Sequence, residues 1–95
     1  MITVKRYKDK ITISGHAGYA EKGADIVCAG VSALAQTLIE SVEALTEDKI
    51  EYELLDGKAN IKFWTLSERS YVLIESFFIG VELIADKYPY NVEIG

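Results

Sequence analysis

Twice along this chain the apolar residues change their spacing from every second position to every third or fourth, and that order leaves few ways to fold. Ile2 and Val4, then Ile11 and Ile13, alternate with Thr3, Lys5, Lys10, Thr12 and Ser14, the pattern of half-buried strands joined by a tight turn at Tyr7 to Lys10. Asp25, a capping residue type, stands before a helical pattern that continues to about Leu45. Alternation returns at Ile50, Tyr52 and Leu54 and at Ala59, Ile61 and Phe63, with Asp56-Gly57 between them calling for a type I′ hairpin turn. A second helical pattern runs from Ser67 and Glu68 to Lys87 and stops before Pro89, and Tyr90, Val92 and Ile94 form a last strand. The expected order is ββαββαβ, an α+β two-layer α/β sandwich with a five-stranded mixed sheet and two helices on one face.

The connections carry their own signals. Gly15, in phase with Ile11 and Ile13, marks a bend or a close backbone approach. Ala17 to Ala24 is small, bears Gly18 and Gly23, and lacks apolar periodicity, so a mobile loop is expected there. In the first helix Cys28, Val31, Ala35, Ile39 and Val42 share one stripe, expected to face the sheet, with Ser32 at its border. In the second, Glu68, Glu75, Glu82 and Asp86 occupy a narrow polar stripe and apolar residues from Tyr71 to Ile84 cover the rest. That arc is wider than one sheet and one helix can cover, which leads to the expectation of a homodimer.

Ninety-five residues, nearly half of them apolar, match a single domain over 1–95. Fifteen carboxylates against ten Lys and Arg give a net charge of −5, which argues against direct nucleic-acid binding by phosphate neutralisation and suits a basic partner. No membrane span is expected, because the richest run, Phe77 to Ala85, is interrupted by Gly80 and Glu82 and is short of the ~18 residues required. Met1 leads directly into strand pattern, so no signal peptide is expected, and a single cysteine makes no intramolecular disulfide; a cytoplasmic protein is the expectation. One Cys and one His are too few ligands for zinc, and no P-loop or dinucleotide glycine pattern occurs, so neither metal nor cofactor is expected.

Chemistry concentrates between Gly15 and Ser32. His16 closes the second strand, and Cys28, at the third position of the helix that Asp25 begins, lies twelve positions later across the glycine-bearing loop. A free cysteine on an apolar stripe reads as a small core residue. Against that, unpaired N–H groups and the macrodipole in a first helical turn favour a thiolate, and a folded-back loop could bring imidazole to thiol. Helix-start amides in such a place would suit an oxyanion. Asp25 reads as a helix cap, or as a carboxylate facing His16; Ser32 as a packing residue, or as a hydroxyl reaching substrate.

The run Gly15-His16-Ala17, with Gly23, Asp25, Val27-Cys28-Ala29 and Val31-Ser32, closely resembles the bacterial ribosomal-processing cysteine protease family, Prp, over the whole chain. The resemblance implies a catalytic dyad of His16 and Cys28 with Asp25 and Ser32 in support. It further implies a homodimer that removes the N-terminal extension of a large-subunit ribosomal protein during ribosome assembly. The competing class is a non-catalytic acidic dimeric binding module that holds a basic ribosomal or assembly-factor segment.

Overall fold

The computed structural model describes residues Met1 to Gly95 and has the expected order: β1 (Ile2–Arg6), β2 (Lys10–Ser14), α1 (Ile26–Leu45), β3 (Ile50–Leu55), β4 (Lys58–Phe63), α2 (Glu68–Lys87) and β5 (Val92–Ile94). The strands form one mixed sheet in the order β3-β4-β2-β1-β5, in which β1 and β5 run parallel and every other pair antiparallel. This is the α+β sandwich read from the sequence; the strand order is new. It leaves β3 at one edge, with five of its six residues exposed.

The hairpin between β3 and β4 departs from the expected turn. Leu55 pairs with Lys58, so Asp56 and Gly57 make the connection, but only Gly57 takes a positive φ, 73°. A type I′ turn needs positive φ at both positions, so the turn is of another type. Its carbonyl accepts the N–H of Gly15 at 2.8 Å, which ties the hairpin tip to the end of β2.

Alternation decides which side of the sheet is dry. Ile2, Val4, Ile11, Ile13, Ile61, Phe63 and Val92 are buried, while Lys5, Ser14 and Lys62 between them are exposed. From α1, Val27, Val31, Ala35, Leu38, Ile39 and Val42 close over that face; from α2, Ile74, Phe77, Phe78 and Val81 do so. Each such side chain, fully buried, stabilises the fold by roughly 1.5–3 kcal/mol. The two helices also meet each other closely. Leu34 of α1 sits over Gly80 of α2, and Ile84 of α2 over Gly30 of α1, so each glycine makes room for a branched side chain from its neighbour. These pairs require the helices to run antiparallel.

The most membrane-like segment is α1 rather than Phe77 to Ala85: it is long and apolar enough to cross a membrane by length and composition, with a mean hydropathy of 1.3. Six of its apolar side chains are buried in the core. α2 begins with Ser67 as N-cap, but the Ser67 side chain does not cap its own helix. Instead Asp48 accepts hydrogen bonds from the Ser67 N–H at 2.8 Å, the Ser67 hydroxyl at 2.7 Å and the buried Ser70 hydroxyl. Asp48 thereby joins the exit of α1 to the start of α2.

Candidate active site

Asp25 builds the local frame. One carboxylate oxygen accepts from the N–H groups of Val27 and Cys28, each at 3.0 Å, which is an N-cap; the other accepts from Tyr19 at 3.0 Å and Ala20 at 3.3 Å. The Cys28 amide foremost, with those of Ala20, Tyr19 and Val27, holds this carboxyl below the usual carboxylate range against the opposing cost of burial. Asp25 is therefore the cap and the anchor of the loop, and its oxygens are not turned to His16. Two expectations change as a result. The Val27 and Cys28 amides are engaged by Asp25, so they are not open to an oxyanion. The loop from Ala17 to Ala24 is not loose along its length: its base is held at Tyr19 and Ala20 by Asp25, and Ala17 is only 2% exposed.

Cys28 follows as the third residue of α1. It stands at the margin of the buried stripe, half-buried rather than sealed in the core, while its neighbours Val27 and Val31 are buried. Its Sγ accepts the Ala17 N–H at 3.3 Å. The thiol opens into a groove of about 570 Å³ lined also by His16, Gly18, Gly23 and Ser32 and by the tip of the β3–β4 hairpin, Leu54 to Ala59. Gly15, with φ of 93°, lets the chain turn from β2 into the loop while passing against the Met1 carbonyl, where a Cβ has no space.

His16 and Cys28 thus share one groove, but no hydrogen bond joins them in this state. The imidazole lies on the backbone of Gly57, whose missing side chain leaves the space for it. Ser32 is exposed on the groove wall, one helical turn beyond Cys28. Lys22, near the far end of the loop, reaches Asp56 on the hairpin at 3.3 Å; both are exposed. Three contributors escaped the sequence reading. Gly57 was legible as a turn and not as the seat of His16, the Ala17 N–H carries no side-chain signal at all, and Asn91, which donates to the Ala17 carbonyl at 2.8 Å, lies in a distant turn.

A half-buried thiol at a helix start, opening with the chain's single imidazole into one groove, is the build of a thiol hydrolase. Comparison with known proteins defines it further. The family described as cysteine protease Prp matches residues 1–93. The ribosomal processing cysteine protease Prp of Bacillus subtilis is 31% identical over 110 residues, covering 97% of this chain and 92% of that one. Its counterpart in Mycoplasma genitalium is 31% identical over 96 residues, covering 99% and 94%. The crystal structure of the essential ribosomal processing protease Prp from S. aureus, in complex with a covalently linked product peptide, superposes with a TM-score of 0.92 at 24% identity, over 100% of this chain and 98% of that one. The chain belongs to the Prp family of ribosomal processing cysteine proteases.

Proposed function

We propose that this chain is a cytoplasmic endopeptidase that removes the N-terminal extension of a large-subunit ribosomal protein during ribosome assembly, with Cys28 as nucleophile and His16 as general acid and base. The observation that carries this reading is the shared groove: the free thiol at the third position of α1 and the imidazole on the hairpin tip face the same space. The Cys28 thiolate attacks the scissile carbonyl carbon, and the His16 imidazolium protonates the departing amine as the C–N bond breaks. The neutral imidazole then takes a proton from water, which cleaves the thioester and releases the free thiolate. The ring makes no hydrogen bond where it rests on Gly57, so a peptide filling the groove can draw it toward the sulfur; catalytic contacts often tighten only with substrate bound.

The net charge of −5 complements a basic extension. The apolar side of α2 that neither the sheet nor α1 covers, with Val72, Ile79 and Leu83 exposed, supports a homodimer.

The test is incubation with a peptide spanning the extension junction, read by mass spectrometry. Wild type cuts once; Cys28→Ala and Cys28→Ser fold but do not cut. His16→Ala loses about 10²–10⁴ in rate, the scale of acid–base help. Ser32→Ala, which removes at most one hydrogen bond to substrate, loses roughly two- to tenfold. Cleavage by Cys28→Ala rules the mechanism out, and wild type that binds tightly without cutting favours a binding module.

A further inference from the structure

Asn91 lies in the turn between α2 and β5, and no step of the proposed reaction uses it. Its backbone is fixed on both sides, the N–H donating to the Tyr88 carbonyl at 3.0 Å and the carbonyl accepting from the Ile2 N–H at 2.8 Å. From that base the side-chain amide donates to the Ala17 carbonyl at 2.8 Å, and the Ala17 N–H donates to Cys28 Sγ at 3.3 Å. The Ala17 methyl is buried, so the residue is held at its carbonyl, at its side chain and at the sulfur. A second tie joins the same two segments, because the Tyr19 ring stands edge-on to Tyr88 with centroids 5.2 Å apart.

We propose that Asn91 is a positioning residue for Cys28: by holding the Ala17 carbonyl it aims the Ala17 N–H at the sulfur and keeps the thiolate hydrogen-bonded. The inference rests on Cys28 being the nucleophile. An N–H directed at an anionic sulfur favours the thiolate over the thiol, and it does so in proportion to how firmly the donor is held. With the Asn91 donor gone, the Ala17 carbonyl loses its partner and the loop base relaxes from the sulfur. The other charged or titratable groups around the groove are His16, two residues past the end of β2, Lys22 in the loop, Asp25 at the helix start, and Asp56 and Lys58 on the hairpin. Asn91 hydrogen-bonds to none of these side chains, so a change in thiol reactivity on substitution reports on the Ala17 amide.

Cys28 is the chain's single cysteine, which makes iodoacetamide alkylation of the folded full-length protein a clean readout. At pH 7, Asn91→Ala and Asn91→Leu alkylate about tenfold more slowly than wild type, the scale of one hydrogen bond to a charged group. At pH 10, where an ordinary thiol of pKa about 8.5 is already ionised, the rates converge. Asn91→Leu keeps the approximate size, adds no charge and cannot donate, so it carries the comparison if Asn91→Ala fails to fold. Asn91→Gln keeps the donor on a longer arm and recovers part of the rate. In peptide cleavage kcat falls with KM unchanged. Alkylation at pH 7 within twofold of wild type for the Ala and Leu variants, or an equal slowing at pH 10, overturns the role of Asn91. Failure of wild type to cut the junction peptide strikes the proposed function instead, since alkylation needs no substrate.

Discussion

Replacing Gly57 by alanine separates the two tasks of one glycine. The residue holds φ at 73°, where a side chain strains the backbone by roughly 1–2 kcal/mol. At about 4–8 °C per kcal/mol for a domain of this size, the melting temperature of Gly57→Ala falls by roughly 5–15 °C. The same Cβ lies 2.7 Å from His16 Nε2, 3.2 Å from Cε1 and 3.3 Å from Cδ2, so the imidazole must move by somewhat under ~1 Å to reach ordinary van der Waals contact. Where a displacement of about that size carries over into the peptide-bound position of the ring, it costs up to ~10²-fold, so cleavage of the junction peptide falls by about ten- to a hundredfold. Gly57→Asn distinguishes the effects. Asparagine tolerates the left-handed region better, so it melts above Gly57→Ala, yet its Cβ meets the ring at the same place and activity stays low. Melting curves and initial rates on the three proteins decide the matter. Gly57→Ala that melts lower but cleaves at the wild-type rate refutes Gly57 as the seat that sets the position to which His16 is drawn.

Asp48 makes a prediction in pH. The Ser67 hydroxyl foremost, then the Ser70 hydroxyl and the Ser67 N–H, hold its carboxyl below the usual range. Its folded value is thus lower than the unfolded value of about 3.9, so its stabilisation is complete above that pH and is lost as pH falls through the folded value. Wild type accordingly loses more melting temperature between pH 7 and pH 3 than Asp48→Asn does; parallel curves for the two proteins contradict the role given to Asp48. Assembly is tested on the surface of α2: light scattering of wild type at micromolar concentration gives a dimer mass, and Ile79→Glu with Leu83→Glu, at positions 59% and 68% exposed, gives a monomer of unchanged secondary structure. A wild-type monomer removes the homodimer from the proposed function.

Both helices and all five strands were legible in the chain because their signals are local. Apolar spacing of two set the inward phase of Ile11, Ile13, Ile61 and Phe63, and Asp25 marked the start of α1 by a capping preference that acts over three residues. The same locality singled out His16 and Cys28 as candidates, which the structure brings to one groove, and the resemblance carried by Gly15 to Ser32 led to the family. Other readings failed where two segments distant in sequence decide the outcome. Asp56-Gly57 reads as a type I′ turn by itself, but the tip is tied to Gly15 and carries the ring of His16, and it takes another form. The loop after His16 reads as mobile because nothing within it is apolar or periodic, whereas the groups that hold it are the carboxylate of Asp25 and the amide of Asn91.

Pattern and capping determined from sequence what each segment is and, for β1, β2 and β4, which face is dry, since those depend on neighbours within a few residues; β3 alternates in the same way, yet its Tyr52 and Leu54 stay 48% and 46% exposed. Tertiary structure alone decided that β3 lies at the sheet edge, that its hairpin tip lines the groove, that His16 rests on Gly57, and that a turn near the C-terminus holds the amide beside the sulfur. The physical reason is that strand pairing and loop anchoring are made by backbone amides and carbonyls, which every residue carries alike and which no side-chain pattern distinguishes until the chain has closed upon itself.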